Sequence, residues 1–170
     1  MVKTAAMVLI AAGFAVGGCC AASFQNKKAK VIEDILLMIS VTETQLRYTC
    51  LPVSDLLKTL CENNRLSGLG FIKKCQEAVE FGESFPEAWK NSIENEYALC
   101  RLLSDYSGYL IRLGCDIGAT DIEGQLGSCE YYKQIFEKEL VQREENAKKY
   151  SKLYPALGMM LGVSAAILIV

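Results

Sequence analysis

The chain has 170 residues, of which 51% are hydrophobic and only 22% charged, with no histidine and a formal net charge of −2. That length holds one domain and little more. The near-neutral charge argues against a nucleic-acid partner, and the lack of histidine removes the usual general base and the usual activator of a serine or cysteine nucleophile.

Thr4 to Phe24 is a charge-free run of 21 residues. At about 1.5 Å rise per residue it reaches roughly 31 Å as a helix, the thickness of a bilayer core. Lys27, Lys28 and Lys30 follow it. Residues 1–25 are therefore expected to be an N-terminal transmembrane anchor. A rival reading takes Val16-Gly17-Gly18-Cys19 as the end of a lipoprotein signal, with Cys19 lipidated and the domain exported. The apolar run continues past Cys19 to Phe24 and then meets lysines, which favours the anchor.

Residues 26–152 are expected to form an all-α, six-helix bundle, because the apolar spacing is helical throughout and no stretch alternates with period two. The first helix, from about Lys27 to Tyr48, places Ile32, Ile35, Leu36, Ile39 and Leu46 on one face and ends at Leu51-Pro52. Ser54 is expected to cap a second helix that buries Leu56, Leu57, Leu60 and Cys61. Ser67 is expected to open a third, with Phe71, Ile72, Cys75 and Val79 inward and Gly82 as its stop. Ser84-Phe85-Pro86-Glu87 reads as a capping box for a fourth, carrying Trp89, Ile93 and Tyr97. A fifth runs from about Leu102 to Leu113 and stops at Gly114. After a loop from Cys115 to Ala119, Thr120 to Glu123 reads as a second capping box. The sixth helix has the seam Ile122, Leu126, Cys129, Tyr132, Phe136, Leu140, Ala147 and Tyr150, with Arg143 as the one polar intrusion.

Lys148, Lys149 and Lys152 lead into a second charge-free run, Leu153 to Val170, expected to be a C-terminal transmembrane helix over residues 153–170. Basic clusters on the inner side of both runs place the middle domain in the cytoplasm. The six lysines could also rest on an anionic leaflet. Gly13 with Gly17, and Gly158 with Gly162, have the spacing that lets membrane helices approach closely. Eight cysteines without a Cys-x-x-Cys pair suit reduced, buried thiols better than a metal centre. There is no phosphate-binding glycine loop. The expectation is a non-enzymatic protein with no cofactor and no metal.

Two places remain as candidate partner contacts. Trp89, the lone tryptophan, reads first as core and second as an interface anchor. The corner before the sixth helix holds Asp116, Asp121 and Gln125, and capping roles leave Gln125 without a reason.

A family resemblance rests on Leu113-Gly114, on Asp121-Ile122-Glu123-Gly124-Gln125, on Glu137 through Ala147-Lys148-Lys149-Tyr150-Ser151-Lys152-Leu153-Tyr154, and on Leu157-Gly158 with Gly162 and the closing Ile167 to Val170. Together with Phe85-x-x-Ala88-Trp89, these residues resemble the stage III sporulation protein AB family. That family is similar to the inner-membrane platform proteins of type II secretion and type IV pilus machines. The resemblance implies a structural subunit of the secretion-like channel between mother cell and forespore, in the mother-cell membrane around the forespore. It implies as partners the AA ATPase and the membrane subunits of the same operon. Because platform proteins usually carry two bundle domains and this chain has one, a platform role would need self-association, as a homo-oligomer, or other subunits.

Overall fold

The computed structural model describes residues 2–49, 52–103 and 106–169; the side chains of 2–22, 25, 150–152, 154–159 and 161–169 lie outside that description. The described residues form seven α-helices and one 3₁₀ turn, with no strand. The helices are α1 (Val2–Tyr48), α2 (Val53–Glu62), α3 (Gly70–Glu80), α4 (Phe85–Glu94), α5 (Tyr97–Leu103), α6 (Ser107–Asp116) and α7 (Ile122–Ile169), with the 3₁₀ turn Asn64–Leu66 between α2 and α3. They divide into two compact units. One joins Met1–Ala29 with Val141–Val170, and the other is Lys30–Leu140. Among the described residues, no helix is long and apolar enough to cross a membrane.

In the Lys30–Leu140 unit, α4 packs against α3, α5 and α6, and α2 packs against α3. The expected face of α1 is buried at Ile32, Ile35, Ile39 and Leu46, joined by Met38 and Thr42, while Leu36 is half-buried. Trp89 is the centre of this core. Its side chain is 1% exposed, the Phe71 ring meets it edge-on at 5.1 Å, and Phe85 lies tilted at 5.5 Å. Its Nε1–H donates to the Leu110 carbonyl on α6 at 2.9 Å, satisfying the one polar atom that burial would otherwise strand. Ala88 beside it is fully buried.

Gly114 does not end a helix. It lies inside α6, buried, at a point where any Cβ would fall within the Trp89 indole. The stop comes later, around Gly118, whose φ of +81° suits glycine. The expected fifth helix is two helices, α5 and α6. Ser107 and Gly108 open α6, and both compete poorly for helix interiors. Tyr97, expected on the fourth helix, belongs instead to α5 and is 85% exposed.

Helix starts depart from the sequence reading by a few residues. Pro52, not Ser54, occupies the N-cap of α2, with φ −55° and ψ 150°. Ser67 closes the 3₁₀ turn, and α3 begins at Gly70 after Leu69. Ser84 is the N-cap of α4, but its hydroxyl donates to the Glu87 carboxylate at 2.7 Å rather than receiving a backbone N–H. The α3 stop is as expected. Gly82, at φ +97°, donates to Val79, while the Glu83 N–H reaches back to Ala78. That pair of reversed bonds satisfies the last carbonyls of the helix.

Along α7, the buried positions are Gln125, Cys129, Tyr132, Phe136 and Glu139, spaced four, three, four and three. Ile122, expected on the seam, is 42% exposed. A seam centred on Cys129, Tyr132 and Phe136 selects 125 and 139 in its register, although both are polar. Lys133 of α7 reaches Glu43 of α1 at 3.6 Å, and Glu43 also binds Arg47 at 2.9 Å.

The close approach at Gly114 predicts opposite outcomes for two glycines. Gly114→Ala should destabilise the protein by about 1–3 kcal/mol through overpacking against the indole. Gly127→Ala, where the new methyl meets nothing within 4 Å, should stabilise it by up to about 1 kcal/mol. Chemical unfolding of the full chain followed by Trp89 fluorescence measures both.

Candidate functional site

The corner between α6 and α7 is assembled from short-range chemistry. Ile117 turns the chain out of α6 at ψ 120°, its N–H still bonded to Leu113, and Gly118 reverses direction. Asp121 then caps α7, its Oδ1 accepting the Gly124 N–H at 3.1 Å. The sequence had placed Thr120 in that role. Asp121 wins because its carboxylate faces the positive end of the helix dipole. A Cβ at Gly124 would lie 2.7 Å from the Thr120 hydroxyl and 2.9 Å from the Asp121 carboxylate, so the first turn of α7 closes tightly around its cap.

Gln125 now has a reason. It is 9% exposed, and its side-chain Nε2 donates to the Thr120 carbonyl at 2.7 Å. The amide ties the loop to the helix from beneath and is turned away from any partner. Asp116 accepts the Tyr132 hydroxyl at 3.1 Å, which joins the end of α6 to the third turn of α7. Of the three corner residues, Asp121 is exposed, Asp116 partly so, and Gln125 buried. What the corner turns outward is Cys115, Gly118 to Glu123, and the apolar side chain of Ile122 among them.

Other candidate residues are placed as follows. Trp89 is interior and offers no surface. Lys27, Lys30, Lys148 and Lys149 are exposed, whereas Lys28 is 9% exposed with its ammonium 4.8 Å from the Phe24 ring centre. Lys30 pairs with Asp34 at 3.8 Å. The side chain of Lys152 and the packing of Gly13, Gly17, Gly158 and Gly162 lie outside the described residues.

Sequence reasoning missed a cleft of about 440 Å³ between α2, the 3₁₀ turn and α3, lined by Leu60, Cys61, Leu66, Leu69, Ile72 and Lys73 among others. No motif marks it, since its walls read as ordinary core positions. Burial pushes the Cys61 thiol up, reinforced by Glu80. Burial also pushes Cys75 to about 12 and Cys129 to about 11, so these thiols stay protonated and weakly nucleophilic at neutral pH. Tyr132 is raised to about 12 by burial and by its hydrogen bond to Asp116.

Paired helices knit by an interior tryptophan and by capped turns, with protonated thiols among the core residues, describe an all-α scaffold. A family model for stage III sporulation protein AB matches residues 3–170, and the chain belongs to that family. Searches of curated proteins and of solved structures returned no significant match.

The buried acids make stability pH-dependent in a defined direction. Each is neutral in the fold above the pH at which it ionises in the unfolded chain. Stability is therefore full below about pH 9, the ordinary thiol value, and falls as pH rises toward 12. Tyr132→Phe should remove only the tyrosine's share of that fall, between pH 10, the ordinary tyrosine value, and about 12, and leave the share of Cys75 and Cys129. Gln125→Ala should cost about 1 kcal/mol at neutral pH by abandoning the Thr120 carbonyl. Denaturant midpoints measured across the pH series check both.

Proposed function

We propose that this stage III sporulation protein is a non-enzymatic, membrane-anchored structural subunit of the secretion-like channel between mother cell and forespore. In this reading it acts as a platform or adaptor for the AA ATPase and the other membrane subunits, and it self-associates. Residues 1–25 and 153–170 are the anchors. The bundle between them faces the mother-cell cytoplasm, and the protein sits in the mother-cell membrane around the forespore without cofactor or nucleic acid.

The observation that carries the reading is the family match over residues 3–170, which takes in both charge-free runs. Further support comes from the grouping of the two terminal segments in one compact unit, as expected of anchors that enter one bilayer side by side. The lipoprotein reading of Cys19 needs the opposite side of the membrane for the bundle.

Cys115, exposed at the end of α6, separates the two. A membrane-impermeant maleimide should leave it unlabelled in intact cells and label it after permeabilisation, with Cys115→Ser as the control. Labelling of Cys115 in intact cells would place the bundle outside and remove the platform reading. The anchors themselves are tested by Gly17→Leu and Gly162→Leu. Each should reduce recovery of the complex from membranes without changing the unfolding of the bundle. Full recovery of the complex with both substitutions would leave the glycines without a packing role.

A further inference from the structure

The net charge of −2 conceals a sharp division. The unit formed by Met1–Ala29 and Val141–Val170 carries seven basic side chains and two acidic ones, a net of +5. The Lys30–Leu140 unit carries eleven basic and eighteen acidic, a net of −7. The positive charge is also concentrated within its unit. No acidic residue occurs between Met1 and Ala29 or after Glu145. Lys27 and Lys28 lie within a few residues of the first apolar run, and Lys148, Lys149 and Lys152 lie at the start of the second.

The two clusters are about 120 residues apart in the chain, yet they belong to the same compact unit. Within it the lysines are not equivalent. Lys28 is covered, with its ammonium over the Phe24 ring, and Phe24 itself is 37% exposed. A cation held on an aromatic ring beside an apolar run has the chemistry of a headgroup boundary. Lys27, Lys148 and Lys149 are exposed, the last two one helical turn after Glu144 and Glu145.

We infer that this unit binds the phosphate headgroups of anionic phospholipids selectively, through Lys27 from one segment and Lys148 and Lys149 from the other. The inference rests on the membrane reading above and goes beyond it. An anchor needs only apolar length, whereas a net of +4 on the bundle side of the apolar runs, with Lys3 lying beyond the first run, gives the protein a choice of lipid. Each lysine near an anionic surface favours binding by about fivefold, and this attraction is screened by salt. An acidic segment of another protein is the competing occupant. It lacks the apolar contact that the neighbouring runs would give a lipid.

The test uses the full chain reconstituted into phosphatidylcholine vesicles with and without phosphatidylglycerol. Spin-labelled versions of each lipid report the fraction held at the protein surface. The expected result is a preference for phosphatidylglycerol of at least about fivefold, the contribution of a single lysine, falling toward none in roughly 0.5 M salt. The preference should be lost in the triple variant Lys27→Gln, Lys148→Gln, Lys149→Gln. It should be kept in the corresponding arginine variant, which guards against a folding effect. Equal association of both lipids with the wild-type chain, or a preference unchanged in the glutamine variant, overturns the inference and leaves the basic surface to an acidic protein partner. Failure of the membrane reading looks different: the chain would not float with vesicles of either composition after alkaline carbonate.

Discussion

The rest of the bundle is arranged around a space with no side chain in it. Trp89 on α4 can lie against α6 only because residue 114 is a glycine, and its indole N–H can be satisfied only because that approach brings it to the Leu110 carbonyl. The same ring receives Phe71 from α3 and Phe85 from the first turn of α4. One side chain thus fixes the contacts of three helices. A buried tryptophan without the hydrogen bond would strand a polar group at a cost of about 1–3 kcal/mol. The close approach is therefore an electrostatic requirement as well as a packing one.

Part of the family resemblance falls on that constraint. Phe85, Ala88 and Trp89 are a ring packed on the indole, its buried neighbour and the indole itself, and Leu113-Gly114 is the surface that receives it. Asp121, Gly124 and Gln125 form the cap of α7 and the tie beneath it. These residues hold elements at fixed separations. None of them needs a ligand to account for its chemistry. The exposed parts of the corner, Ile122 and Asp121, are held in place by the buried parts.

The helical class, the core face of α1, the inward residues of α2 and α3, and the Gly82 stop were legible because each follows from periodicity or from a backbone angle that glycine alone favours. Helix starts were less legible. Ser54, Ser67 and Thr120 are good capping residues by type, but competing neighbours stand beside each of them: Pro52 already at the right φ, a 3₁₀ turn, and a carboxylate one residue on. Gly114 was misread because a helix stop and a close helix crossing ask for the same residue, and only the partner distinguishes them. Gln125 and Glu139 were invisible as core positions because polarity outweighs register when a seam is read from the sequence alone.

Charge raises the same difficulty on a larger scale. A total of −2 describes neither unit, since one carries a net of +5 and the other a net of −7. Net charge governs solubility and non-specific association only when the charge is mixed over one surface. Here the chain's ends contribute almost all of the excess positive charge, and chain folding collects those ends into one unit. Two lysine-rich turns that look like routine flanks of apolar segments become a single positive body. The acidic excess stays with the helices that carry the tryptophan core. That core can then be built from apolar contacts and satisfied amides, with lysine and glutamate confined mostly to solvated faces, where an ion pair contributes ~1 kcal/mol or less. Stability and surface charge are in this way assigned to different parts of the sequence, and a surface charge can change without loosening the helix crossing at Gly114.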